Sequence, residues 1–180
     1  MSALFIYRKD RDMTRKEIDE NIAIAKRNLK NYQLLVPNNE LILDCYLFPS
    51  HNYKTYYIQI EKSGGVFCGS CAYTCLTDYF GIKSYSQTFS LIEKADKHTA
   101  KSGDTICKAL FPDMQFINAL IEEAKICEDI DSQSDEIIID GITAGIRLCN
   151  KGSVSKDICL VNPDNVSPLL EMLILFSNQI

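Results

Sequence analysis

Two tight turns constrain this chain more than any other feature in it. Ser63-Gly64-Gly65 and Asn150-Lys151-Gly152 each join two apolar runs over the shortest distance in which a chain can reverse. Glycine tolerates positive φ, so such turns favour β-hairpins. Strands joined this closely run antiparallel. Lys54–Glu61 alternates Tyr and Ile with polar residues before the first turn, and Val66–Thr74 resumes after it. Ile142–Cys149 and Val154–Val161 flank the second. Leu41–Phe48, closed by Pro49-Ser50, reads as another strand, as do Ile137–Asp140 and the short run at residues 3–7.

Helical spacing separates these runs. Thr14-Arg15-Lys16-Glu17 forms a capping box, and Ile18, Ile22, Ala25 and Leu29 then recur on one face, which predicts a helix over 14–31. Pro112-Asp113 starts a second helix, with Phe116, Ile117, Leu120, Ile121 and Ala124 as its apolar side, ending near Cys127. Ser167-Pro168 places an N-cap and a first-turn proline ahead of a closing helix over Leu169–Ser177. Residues 78–105 carry the least regular pattern, with room for a short helix near Ser90–Lys97. The pattern predicts an α+β fold: a mainly antiparallel sheet of about six strands packed with three or four helices, as one domain over residues 1–180.

Composition narrows the partners. The formal net charge is −5, which repels a phosphate backbone and argues against nucleic acid. An acidic surface also steers association with a basic protein. The longest apolar run, Leu169–Phe176, is interrupted by Glu171 and falls short of the roughly 18–20 residues that span a bilayer. No secretion signal is recognisable, so a cytoplasmic setting and no membrane contact are expected.

Eight cysteines are present, and in a reducing compartment they read as thiols rather than bridges. Cys68-x-x-Cys71-x-x-x-Cys75 is the densest group. Three sulfurs this close suggest zinc or part of an iron–sulfur cluster, but a structural zinc needs a fourth ligand, and no second Cys-x-x-Cys exists to supply it. On a regular strand Cys68 and Cys71 point to opposite faces, unless the strand breaks at Gly69. Small buried hydrophobes are the simpler reading, and no cofactor is expected. A small thiol- or metal-dependent enzyme using Cys68, Cys71 or Cys75 stays as the alternative. A cysteine nucleophile would need a cationic neighbour, and His51 and His98 both lie in polar segments. Lys62-Ser63-Gly64-Gly65 joins two strands instead of opening a helix, so it is a turn and not a phosphate cradle.

The stretch Glu128, Asp129, Ile130, Asp131, Ser132, Gln133, Ser134, Asp135, Glu136 holds five carboxylates in nine residues. It lacks the glycine and the closing glutamate of a calcium loop. It reads as a solvated loop and, functionally, as a negative patch for a basic partner. Glu128, Asp129, Asp131, Asp135 and Glu136 are therefore the expected partner-binding residues. Tyr53, Tyr56, Tyr57, Phe67, Tyr73, Tyr79, Phe80 and Tyr85 form a dense aromatic group, split between core and sheet surface.

The closing ~45 residues have a characteristic layout. Asp140-Gly141 precedes a hairpin with Ile146-x-Leu148 and Ile158-x-Leu160, followed by Asn162-Pro163 and a helix carrying Leu169-Leu170-x-x-Leu173. This resembles the end of various small bacterial proteins, among them immunity proteins that neutralise toxins of neighbouring cells. The resemblance implies a non-enzymatic inhibitor that covers the active site of a basic toxin domain, such as a nuclease. It transfers no functional residue. A structural or adaptor subunit is a third possibility.

Overall fold

The computed structural model describes residues 14–49, 55–74, 105–128, 130–131, 142–161 and 167–180. The elements in chain order are α1 (Arg15–Asn31), β1 (Leu41–Pro49), β2 (Thr55–Ser63), β3 (Val66–Thr74), β4 (Thr105–Leu110), α2 (Met114–Ile126), β5 (Ile130–Asp131), β6 (Ile142–Asn150), β7 (Ser153–Val161) and α3 (Pro168–Asn178). The strands form one sheet in the order β4-β3-β2-β1-β6-β7-β5. Six strands are antiparallel to their neighbours, and the two-residue β5 adds to β7 in parallel. The class is α+β, as the turn and helix patterns predict.

The local signals do the work expected of them. Thr14 caps α1 in a full capping box with Glu17. Asp113 accepts the amide of Phe116, and Ser167 accepts that of Leu170. Gly64 and Gly65 have φ of 58° and 88° in the β2–β3 turn, and Lys151 and Gly152 have φ of 49° and 84° in the β6–β7 turn. Both are two-residue loops with positive φ at each position, matched to the strand twist.

Three readings need correction. β4 had no strand signal, yet Thr105–Leu110 pairs with Gly69–Thr74. Within the acidic stretch, read as a solvated loop, Ile130 and Asp131 are strand and pair with Leu160 and Val161. Of the aromatic group expected to divide between core and sheet surface, Tyr56, Tyr57, Phe67 and Tyr73 all take the core. The strand expected at 137–140, the short run at 3–7, the helix near 90–97, both histidines, Tyr53, Tyr79, Phe80 and Tyr85 lie outside the described residues.

Helices cover both faces of the sheet. On one face, Leu43, Cys45, Ile58, Ile60, Cys71, Ile146 and Leu160 pack under α2 and α3. Phe116 of α2 meets Phe176 of α3 at 5.4 Å between ring centroids. Lys156 reaches from β7 to the C-terminus of α2, donating to the carbonyls of Lys125 (2.5 Å) and Cys127 (2.8 Å), where a cation suits the helix dipole. On the other face, Tyr46, Phe48, Tyr57, Ala72, Cys159 and Val161 pack under α1 through Ile18, Ile22, Ala25 and Leu29.

Helix α1 runs across the strands. Arg15 pairs with Asp157 on β7, Asp19 with Arg147 on β6, and Lys26 with Asp44 on β1. The helix then reaches β3 and β4. Seventeen residues at ~1.5 Å rise give about 25 Å, close to five strand spacings of ~4.8 Å. The helix is therefore just long enough to strap the sheet from β7 to β4.

Candidate functional site

The register of the sheet assembles a polar row beneath α1. Asp157 pairs with Arg147, Arg147 with Asp44, Asp44 with Gln59, and Gln59 with Ser70. Five polar residues thus stand side by side on five adjacent strands, facing the helix. The order of charge along the row is negative, positive, negative. Along α1 it is positive at Arg15, negative at Asp19 and positive at Lys26, so helix and sheet are complementary position by position.

Asp44 sits at the centre. It is the only buried carboxylate among the described residues. Arg147 grips it with two bonds, Nε to Oδ1 at 2.7 Å and Nη2 to Oδ2 at 2.9 Å, the strong fork geometry of a guanidinium on a carboxylate. Tyr57 donates its hydroxyl to Oδ2 at 2.7 Å. Gln59 donates to the Tyr57 oxygen at 3.2 Å, and its own carbonyl accepts the Val36 amide at 3.2 Å. Lys26 lies 3.5 Å from Asp44 Oδ2 and 5.8 Å from the centre of the Tyr57 ring.

The electrostatics follow from this packing. Burial pushes the Tyr57 hydroxyl well above its ordinary range, and the neighbouring Asp44 charge pushes it further. Burial works against the Arg147 cation, but the Asp44 bonds and charge more than offset it and the pKa rises. Taking a charge pair out of water is costly, and it persists only where its hydrogen bonds are made. Here they are made, and the carboxylate is held as a structural anion.

A second feature adjoins the row. Tyr46 pairs with Gly145, which pairs with Cys159. A Cβ on Gly145 would collide with the Tyr46 hydroxyl and with the Ile158 carbonyl. Glycine here lets the tyrosine ring lie across β6 toward Cys159. Burial, then the Cys159 thiol, raises the Tyr46 pKa.

The sulfurs do not converge. β3 continues unbroken through Gly69, which pairs with both Ile60 and Leu110. Cys71 consequently faces the α2–α3 core, while Cys68 stands on the α1 side and donates to Glu61 at 3.4 Å. The two cannot hold one ion from this strand, and Cys75 lies outside the described residues. Cys68 is half-buried and polar in its contacts, unlike the buried hydrophobe its pattern suggested. Among the described residues no group of three or more His, Cys, Asp or Glu side chains is placed to hold a metal. Burial raises the Cys45, Cys107 and Cys149 thiols, that of Cys107 up to about 12, and burial followed by the Glu61 bond raises Cys68. Raised thiols are poor nucleophiles near neutral pH.

No family model, curated protein or solved structure matches this chain.

Of the expected partner-binding carboxylates, Glu128 is exposed just after α2. The backbone of Asp131 forms part of β5 at the sheet's rim. Asp129, Asp135 and Glu136 lie outside the described residues. None of them belongs to the polar row. The sequence reading missed Asp44, Arg147, Gln59 and Lys26, and took Tyr57 only as one of an aromatic group. One signal was available: Asp44 interrupts the apolar run Leu41–Phe48, and a carboxylate in such a run demands a buried partner. Among the described residues no helix is long and apolar enough to cross a membrane.

Proposed function

We propose that this chain is a non-enzymatic, acidic protein-binding module of the immunity type, which neutralises a basic toxin domain, such as a nuclease, by covering its active site in the cytoplasm. The observation that carries the reading is the closure of the buried charges. Asp44 is fully engaged by Arg147, Tyr57 and Lys26, so it has no role left as an acid, a base or a ligand. The raised thiols support the same conclusion. Among the described residues, what remains for function is the outer surface, in a chain of net charge −5 with its acidic segment at 128–136. Tyr32 and Phe111, exposed by 62% and 84%, lie toward the β4 edge of the sheet, opposite the acidic segment beside β7, so the charged edge carries this reading without them.

The test is co-expression with the products of the genes adjacent to this one, any basic toxin domain among them being the expected partner. Expected is a stoichiometric complex by size-exclusion chromatography with loss of toxin activity. The variant Glu128→Gln, Asp129→Asn, Asp131→Asn, Asp135→Asn and Glu136→Gln should lower the association rate about tenfold or more at low salt, because rim charges act on the on-rate. An unchanged rate would refute the electrostatic part. No complex, together with turnover of a small molecule by the isolated chain, would overturn the whole reading.

A further inference from the structure

We propose that β4 is a self-pairing edge: two copies of this chain join through Thr105–Leu110, antiparallel about a two-fold axis at Cys107, so that their sheets run on as one. The inference goes beyond the toxin-binding reading and does not depend on it.

The contrast between the two rims of the sheet carries it. An unpaired edge strand presents a row of backbone donors and acceptors, and natural proteins guard it with bulges, charges or a covering element. The β7 rim uses all three. Ile130 and Asp131 cover Leu160 and Val161, a register shift interrupts the pairing with β6 at Leu148 and Cys149, and Lys156 and Asp157 place charge on the strand. The β4 rim has no such guard among the described residues. Its six pairs with β3 run from Gly69 with Leu110 to Thr74 with Thr105 without a register shift. No described strand lies on its outer side. Lys108 is its one charged residue, and that ammonium is turned to the Ile180 carbonyl. Beyond the strand the surface stays apolar, with Phe111 and Met114 both exposed.

The strand also fits itself. A two-fold axis normal to the sheet keeps the α1 face of both copies on the same side, so each residue meets one of like facing. Cys107 and Ala109 face α1 with their partners Ala72 and Ser70, whereas Ile106 and Lys108 face α2 and α3. The axis must therefore pass through a residue and not between two. At Ile106 or Ala109 it would pair only three residues of the strand. At Lys108 it would set two ammonium groups against each other. At Cys107 it pairs Thr105 with Ala109, Ile106 with Lys108 and Cys107 with its own copy, which uses five of the six residues and opposes no like charges.

Cross-linking reads the axis directly. Opposed residues of an antiparallel pair have Cα atoms about 4.5 or 5.5 Å apart, and a disulfide reaches across either distance. Expected for the full chain is a concentration-dependent dimer by analytical ultracentrifugation. Oxidation with copper–phenanthroline should then give a disulfide between the Cys107 side chains of the two copies, identified by mass spectrometry. Cys107→Ser should keep the dimer and lose that bond. Cys107→Lys, which puts two cations at the axis, should shift the equilibrium severalfold toward monomer. If that variant fails to fold, the wild-type mass and cross-link decide alone. A monomer at every concentration would overturn the proposal, and so would a dimer whose cross-links leave out Cys107.

Discussion

The two faces of the sheet are built on different principles. Toward α2 and α3, twenty-two buried hydrophobic side chains among the described residues, Tyr56 and Tyr73 included, form one core. Toward α1, ten do, and they share the interface with a paired charge, a buried phenol and a glutamine. Apolar packing is non-directional and tolerates many arrangements of similar volume. A row of charges is directional, because each group has one correct partner. The first face supplies most of the burial, and the second determines where a single helix sits. A one-residue slip of α1 along the row would set Asp19 or Lys26 against the wrong neighbour.

Breaking that contrast is most direct at Asp44. Arg147→Met leaves a buried carboxylate short of its main partner and should cost about 3–5 kcal/mol in chemical denaturation. Adding Asp44→Leu to it should restore part of the loss, since no charge is then buried unpaired, although the buried Tyr57 hydroxyl loses its acceptor. If the double variant is no more stable than the single one, the row is worth more than its desolvation and the argument is wrong. On the α2–α3 face, Leu120→Ala should cost about 2–5 kcal/mol by the cavity it leaves, with no dependence on salt or pH.

The next effect is in pH. Tyr57 ionises in the unfolded chain near pH 10 but is held neutral in the fold, its pKa raised first by burial and then by Asp44. A group with a raised folded pKa stabilises fully below its unfolded value and progressively less above it. Stability should therefore fall from about pH 10 upward, and Tyr57→Phe should flatten the slope at a cost of about 1 kcal/mol at neutral pH. An equally steep slope in the variant would place the titration elsewhere, Tyr46 being the neighbouring candidate.

The smallest effects test local backbone and sharpen the view of α1. Gln33 occupies the left-handed position of the Schellman cap at φ 60°, where glycine is preferred. Gln33→Gly should stabilise by up to about 1 kcal/mol, visible as slower exchange of α1 amides alone. Lys151→Asn, at φ 49° in the β6–β7 turn, should add about 0.5 kcal/mol or less without touching α1. Both act in the same direction on local structure, and only the first should reach the strap.

The elements that were legible share a cause: their signals lie within a few residues. Thr14 to Glu17 defines the start of α1, Ser63 to Val66 sets the first hairpin, and Ser167-Pro168 starts α3. β4 was hidden because Thr105–Leu110 is half-buried and at the rim of the described sheet, so its residues, Lys108 among them, show no alternation. Lys108 in turn donates to the carbonyl of Ile180, a contact that spacing alone does not suggest. The acidic segment was legible as composition, but its pairing with β7 through Ile130 and Asp131 was not.

The polar row marks the boundary. From residue order alone came the antiparallel hairpins and three helices with their caps, all consequences of local sterics and hydrogen bonding. Tertiary structure decided the partners. A two-residue turn by itself would set Lys156 opposite Arg147, cation against cation. A bulge at Ser155, whose hydroxyl bonds the Leu148 carbonyl at 3.0 Å, shifts the register by one and brings Asp157 there instead. Long-range pairing of β1 with β6 then delivers Arg147 to Asp44, 103 residues away in the chain. Such meetings depend on the whole sheet closing at once, because the partners have no local geometry that could bring them together.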